Sequence, residues 1–135
     1  MIRRSLAPLL VLLAVAMLSA CGGSSRKAAY TPSPLAVQRA DIEAKVQARN
    51  AIVAIEVYST DQGGSYAGAT PAKLRAIEPK VPASIEVKPT TSGYELKVAS
   101  ANGGNVFSAV KGPAGTTTLT CTTAGKGACP ASGRW

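Results

Sequence analysis

The sequence contains no histidine and few aromatic residues: one Trp, one Phe and four Tyr among 135 residues. Without histidine, a Ser-His or Cys-His catalytic pair is excluded and the commonest general base is missing. Acidic residues are also few, seven against 15 Lys and Arg, and after Glu86 the only acid is Glu95. A hard cation such as calcium needs several carboxylate or carbonyl ligands. We therefore expect no catalytic residue, no metal site, no cofactor and no small-molecule substrate.

An apolar run long enough to span a membrane is also missing. The longest apolar run in the sequence covers only ten residues, 9–18, whereas a membrane-spanning helix needs roughly 20. Two arginines, Arg3 and Arg4, precede this run, and two small residues follow it. A charged start, a short apolar centre and a small-residue end are typical of a cleaved secretory signal. The sequence thus predicts a signal peptide at residues 1–20.

The end of this segment, Leu18-Ser19-Ala20-Cys21, resembles the lipobox of bacterial lipoproteins, in which the cysteine is acylated and becomes the first residue. The resemblance implies that lipid on Cys21 anchors the chain to a cell membrane, on the extracytoplasmic face. Each buried methylene of an acyl chain contributes ~0.8 kcal/mol, and two chains hold a protein durably. The alternative is an ordinary secretory signal with Cys21 as a chance residue near the cut.

The cysteine count agrees with lipidation. Three cysteines leave an odd thiol that needs an explanation in an exported protein. If Cys21 carries lipid, Cys121 and Cys129 remain, and such a pair in an oxidising compartment is expected to form a disulfide. On the chain-entropy model a loop of this length contributes about 2 to 3 kcal/mol. Redox chemistry is the alternative, although the spacing is far from Cys-x-x-Cys.

The charge of the mature chain is positive but dispersed. Without Arg3 and Arg4, 13 basic and seven acidic residues leave a formal charge of +6, and no later block of like charge exceeds two residues. A nucleic-acid-binding arm would show a longer basic block. The surplus suits a surface near anionic lipid or wall polymer, and nucleic acid stays open as a partner without a motif to support it.

Residues 21–35 are rich in Gly, Ser and Pro and are predicted to be a flexible tether. Residues 36–135 are predicted to form one α+β domain. Its first element is a long helix over residues 35–60, where apolar residues recur at helical spacing. The sequence Asp61-Gln62-Gly63-Gly64 should end this helix.

One face of the long helix is expected to pack on a sheet. The predicted buried stripe consists of Val37, Ala44, Ala48, Ala51, Ile55 and Tyr58, and is widened by Ile42, Val46, Val53 and Val57. Charged side chains are expected to solvate the first half of the helix (Arg39, Asp41, Glu43, Lys45 and Arg49). The helix should therefore start solvated and end buried, with residues 51–55 as its docking face.

The remaining elements are short. Thr70 and Pro71 predict the start of a short helix that ends before Pro79. Alternating and β-branched patterns predict four antiparallel strands, over residues 84–88, 93–100, 105–111 and 116–122. Asn102-Gly103-Gly104 is a hairpin-turn signal between the second and third strands.

This order of elements resembles the soluble half of type IV pilins and type II secretion pseudopilins. The similarity lies in the long helix, the step at residues 61–67, the strand at Gly93-Tyr94-Glu95-Leu96, the closing Cys-x7-Cys pair and the terminal Trp135. It implies a helix on a four-stranded antiparallel sheet, at the cell surface. This chain lacks the Gly-Phe cleavage site and the apolar half-helix with its glutamate, so the usual means of polymerisation is missing.

The sequence therefore predicts a lipid-anchored, non-catalytic protein of the bacterial cell envelope, an accessory interaction protein of a pilus or secretion assembly. The resemblance to pilins implies that a protein partner binds at residues 122–134. The alternative is that the disulfide only fixes the C-terminus in place. Trp135 is expected to cover the edge of the core rather than to bind sugar. The second hypothesis is a surface module for an anionic partner, DNA or cell-wall polymer, and an envelope enzyme ranks last.

Overall fold

The computed structural model describes residues 30–135, of which Thr31–Trp135 form one unit. The predicted signal peptide, the lipobox with Cys21 and most of the tether lie outside the described residues. The helices and strands are α1 (Pro34–Asp61), α2 (Pro71–Ile77), β1 (Glu86–Pro89), β2 (Tyr94–Ala99), β3 (Val106–Lys111) and β4 (Thr117–Cys121). A short 3-10 turn occupies Ala101–Gly103. In the described part of the chain, no helix has the length and apolar character needed to cross a membrane.

The strands form an antiparallel meander in the order β1-β2-β3-β4, with α1 packed on one face. The predicted α+β arrangement, a long helix on a four-stranded antiparallel sheet, is therefore confirmed. The first strand begins at Glu86, later than the predicted start at residue 84. The residues before it form a turn, in which the Ile85 N–H donates to Pro82 O at 3.3 Å. The β2–β3 hairpin turns at Asn102 and Gly103, both with positive φ, as the turn signal predicted.

Local signals set both ends of α1. The Ser33 hydroxyl accepts a hydrogen bond from the Ala36 N–H at 3.2 Å, and Pro34 occupies the first turn, where a missing N–H costs nothing. The helix thus begins one residue before the predicted start. At the other end the Gly64 N–H donates to Ser59 O at 2.8 Å, and Gly63 has a φ of +67°, a conformation that glycine adopts without strain.

The face that α1 turns to the sheet is narrower than predicted. Its buried apolar residues are mainly small and lie at steps of three and four (Ala44, Ala48, Ala51, Ala54, Ile55 and Tyr58). The prediction that four branched residues widen this stripe is wrong, because all of them are exposed (Ile42, Val46, Val53 and Val57). At about 100° per residue they lie on the opposite side of the helix, so residues 51–55 are not a continuous docking face.

The sheet presents alternating residues to α1, as predicted for β2. Tyr94, Leu96 and Val98 are buried, whereas Glu95 and Lys97 lie on the outer face and form an ion pair at 2.7 Å. In β3 the inward residues are Phe107 and Ala109. The alanines of α1 allow its backbone to approach these side chains closely. Each fully buried large side chain contributes about 1.5 to 3 kcal/mol.

Trp135 closes one end of the core. Its ring meets Phe107 edge to face, with 5.7 Å between ring centroids, and its Nε1 donates to Thr120 O at 2.8 Å. The ring is partly buried against the core cluster. This position agrees with the expectation that Trp135 covers the core edge.

Candidate functional site

The best-organised polar site joins the start of α1 to the loops at one end of the sheet. Asp41 is fully buried, with 0 % of its surface exposed, so its prediction as a solvated helix charge is wrong. Oδ1 accepts the Asn105 N–H at 2.9 Å, and Oδ2 accepts Asn105 Nδ2 at 2.6 Å and the Ala128 N–H at 3.1 Å. A buried carboxylate is tolerated when donors surround it in this way.

The electrostatics of Asp41 follow from these contacts. Burial raises the pKa of the carboxyl, but the hydrogen bonds from Asn105, Ser100 and Ala128 outweigh this effect and hold the pKa below its ordinary value. Asp41 is therefore a buried anion at neutral pH. Its donors Asn105 and Ala128 lie 64 and 87 positions later in the chain, so Asp41 fastens α1 to the C-terminal half.

Two glycines make room for this carboxylate. A Cβ atom on Gly104 would overlap Oδ1 of Asp41, and a Cβ atom on Gly127 would overlap Oδ2. Gly127 also has a φ of +59°, where a side chain is strained. The absence of a side chain at these two positions is thus a requirement of the Asp41 site.

Residues 122–134, here called the C-terminal loop, follow β4 and are held at several points. Cys121 and Cys129 are joined by a disulfide, with 5.8 Å between their Cα atoms, which is the pairing expected from the cysteine count. Asn105 donates from Nδ2 to Lys126 O at 3.0 Å and accepts the Thr123 N–H on Oδ1 at 2.7 Å. The Cys121 N–H donates to Gly133 O at 2.9 Å. The backbone of the loop is therefore fixed by a covalent and a polar anchor.

The outer surface of the C-terminal loop is open to solvent. Residues 122–127 are all exposed, including the side chain of Lys126. Beside the loop, Lys45 Nζ lies 5.9 Å and Arg49 Cζ lies 5.7 Å from the centroid of the Trp135 ring. Cations over an aromatic face are attracted by its quadrupole. The loop thus combines a fixed backbone with exposed side chains and nearby cations.

A second polar cluster lies at the far end of α1. Glu56 accepts hydrogen bonds from Tyr66 OH at 2.8 Å, from Tyr94 OH at 3.0 Å and from Lys111 Nζ at 2.8 and 2.9 Å. The two tyrosine rings meet edge to face at 5.1 Å, and Lys111 lies 5.2 Å from the Tyr66 centroid. Glu56 thereby links α1 to β2, to β3 and to the loop before α2.

In this second cluster, Glu56 and Lys111 each stabilise the charged form of the other. Burial raises the pKa of Glu56, but its hydrogen bonds with Lys111, Tyr66 and Tyr94 lower it below the ordinary value. Its carboxylate in turn raises the pKa of Lys111. Burial, aided by the Glu56 charge, raises the pKa of Tyr94 to about 12. Both carboxylate oxygens of Glu56 are taken up by protein donors, so the cluster serves to hold elements together.

Neither cluster offers a ready metal or nucleophile site. Among residues 30–135, no group of three or more Cys, Asp or Glu side chains converges as metal ligands would. In the same range every buried side-chain nitrogen or oxygen has a hydrogen-bond partner.

Sequence reasoning missed the roles of Asp41, Asn105 and Glu56. One signal for Asp41 was present: it lies three residues before Ala44 and seven before Ala48, in line with the buried alanines. A charged residue in phase with a buried stripe predicts a buried carboxylate with distant donors. No local pattern marks Glu56, whose partners lie 10 to 55 residues away.

No protein-family model matches this chain, and neither does a curated protein or a solved structure. The fold and the site define the class of the protein as an α+β domain with a disulfide-closed C-terminal loop, one helix on a four-stranded antiparallel meander.

Proposed function

We propose that this chain is a lipid-anchored, non-catalytic protein of the bacterial cell envelope whose pilin-like domain binds a protein partner in a pilus or secretion assembly. The observation that carries the proposal is the C-terminal loop: its backbone is fixed by Cys121–Cys129 and Asp41, while its outer side chains face solvent. A preorganised loop loses little conformational entropy on binding. At the other end of the sequence, the lipobox-like segment that ends at Cys21 supports attachment to a membrane.

The pilin-like part of the proposal is supported by the order of elements. A 28-residue helix is followed by a Gly-Gly stop, a short helix, a four-stranded meander and a cysteine-closed loop. Pilins and pseudopilins, which the sequence resembles, share this order. Because the apolar half-helix of those families is missing from the sequence, we assign the chain an accessory role rather than that of a filament subunit.

Mass spectrometry of the mature N-terminus tests the anchor. The full chain is expressed in a bacterium with its first 20 residues intact, and the N-terminal peptide is isolated from the membrane fraction. We expect acylated Cys21 as the first residue, and we expect a Cys21→Ser variant to leave the membrane fraction. An unmodified N-terminus, or membrane retention of the Cys21→Ser variant, would contradict lipidation.

Site-specific photo-crosslinking tests the binding surface. A photoreactive residue at Ala124, exposed in the C-terminal loop, should give a discrete adduct with an envelope protein in living cells. The matched control is the same residue at Lys88, on β1 at the opposite edge of the sheet. No adduct at Ala124, or identical adducts from both positions, would contradict partner binding through the loop.

A second candidate function is binding of an anionic polymer, DNA or cell-wall polymer. Lys45 and Arg49, which lie over Trp135 beside the C-terminal loop, favour it. In this case affinity should fall steeply as salt rises, since cations on the polymer are released on binding. Replacing both residues by Gln should flatten that salt dependence, whereas Lys88→Gln at the far edge should not. If binding of the polymer does not depend on salt, or if no binding is detected, binding of a protein partner is the favoured function.

A further inference from the structure

The side of α1 that faces away from the sheet carries a second apolar stripe. We call it the outer stripe; its members are 42–61 % exposed (Leu35 55%, Ile42 52%, Val46 49%, Val53 61% and Val57 42%). Single exposed apolar residues are ordinary. Five branched side chains aligned on one helix face go beyond scattered exposure, and exposed apolar patches mark interaction surfaces.

The spacing of the outer stripe keeps it on one line. Its members follow one another at steps of seven, four, seven and four residues, so the pattern repeats every 11 residues. An 11-residue repeat corresponds to about 3.67 residues per turn, close to the period of the α-helix itself. The stripe from Leu35 to Val57 is therefore nearly straight and about 33 Å long, a shape that a second helix fits.

Charges at the two ends of the stripe are complementary to each other. Arg39 and Asp61 are exposed, and on a helical projection both flank the stripe on the same side. Among the described residues neither takes part in an ion pair, since the ion pairs there involve other residues. In a parallel copy of α1 the two copies of each charge would lie at the same height but on opposite sides of the seam, so neither would meet an opposite charge. An antiparallel copy would place Arg39 of each chain against Asp61 of the other.

We infer that the outer stripe binds the outer stripe of a second copy of this chain, with the two α1 helices antiparallel. In the register that aligns Arg39 with Asp61, Val46 meets Val53 and Ile42 meets Val57. Asn50 then lies beside its own copy at the two-fold axis, where a paired polar residue fixes the register. The contact is isologous, so it closes as a dimer.

A lipid bilayer is a less suitable occupant of the same stripe. Interfacial helices carry Lys and Arg beside their apolar face, whereas Asp61 would bring a negative charge to anionic headgroups at one end. In the antiparallel dimer, by contrast, Arg39 and Asp61 each lie against the opposite charge on the other chain. The inference concerns a face of α1 opposite the sheet and does not depend on lipidation or on the C-terminal loop.

Sedimentation equilibrium of the full chain with Cys21→Ser tests the dimer. We expect concentration-dependent dimers, and we expect Val46→Glu with Val53→Glu to give monomers of unchanged circular dichroism. Arg39→Asp alone or Asp61→Arg alone should raise the dissociation constant about tenfold or more, because two ion pairs become two repulsions. The two reversals combined should restore it. A chain that stays monomeric at about 1 mM, or no rescue by the combined variant, overturns the inference.

Oxidative crosslinking tests the orientation. Val46→Cys mixed with Val53→Cys should form an intermolecular disulfide, while either variant alone should not, because each lies about 10 Å along the helix from its own copy. Crosslinking of Val46→Cys with itself would indicate parallel helices and overturn the inference. So would a monomeric chain that binds anionic phosphatidylglycerol vesicles and loses this binding on Val46→Glu.

Discussion

Asn105 donates both its backbone N–H and its side-chain amide to the two carboxylate oxygens of Asp41, at 2.9 and 2.6 Å. The residues are 64 positions apart, so this contact joins the first half of α1 to the start of β3. Asn105 also holds the C-terminal loop through Thr123 and Lys126. The same pair therefore sets both the seating of the helix and the shape of the proposed binding loop.

We expect Asp41→Asn to lower the free energy of unfolding by about 2 to 4 kcal/mol, because an amide NH2 would face donors and leave buried hydrogen bonds unmade. Urea denaturation without reductant measures this loss. Glu43→Gln is the control: that side chain is exposed and accepts a hydrogen bond from Gln47, so its effect should stay within about 0.5 kcal/mol. Equal effects of the two variants would contradict the anchoring role of Asp41.

The stability of the domain should depend on pH through the same carboxyl. Because the pKa of Asp41 is lower in the folded than in the unfolded chain, the unfolded state binds more protons at acid pH. The contribution is complete above the unfolded value of about 3.9 and is lost as pH falls through the folded pKa. Denaturation midpoints measured from pH 6 downward should fall less steeply in Asp41→Asn than in the parent. Parallel curves would show that Asp41 has an ordinary pKa.

Much of the fold could be predicted because each element has its own signal. Apolar residues at helical spacing predict α1, and alternating apolar residues predict β2. A Gly-Gly step marks the end of α1, and an Asn-Gly step marks the turn after β2. The predicted stripe of Ala44, Ala48, Ala51, Ile55 and Tyr58 is buried, but periodicity could not exclude the outer residues from the buried face, because both stripes recur at helical spacing. Contacts with residues far along the chain, Asn105 with Asp41 and Lys111 with Glu56, select the alanine face.

Tyr94 should ionise well above the usual pKa range of a tyrosine. Burial and the Glu56 charge raise its pKa to about 12, so stability that is complete below the unfolded value of about 10 is lost as pH rises toward 12. Absorbance at alkaline pH should show a late phenolate transition that Tyr94→Phe removes. Glu56→Gln, which removes the negative charge, should move this transition to lower pH. A single transition near pH 10 in the parent would contradict the cluster.

Gly127 and Gly125 form a matched pair for testing the space around Asp41. Both have positive φ, +59° and +74°, but only a Cβ on Gly127 meets a neighbour, the Oδ2 atom of Asp41. Gly125→Ala should therefore cost about 1 to 2 kcal/mol, the strain of a left-handed residue. Gly127→Ala should cost more, because it also displaces a buried carboxylate from its donors. The difference between the two losses in urea denaturation measures that displacement. It should shrink in an Asp41→Asn background, where the hydrogen bonds are already broken, and a difference that persists there would contradict displacement of the carboxylate as its cause.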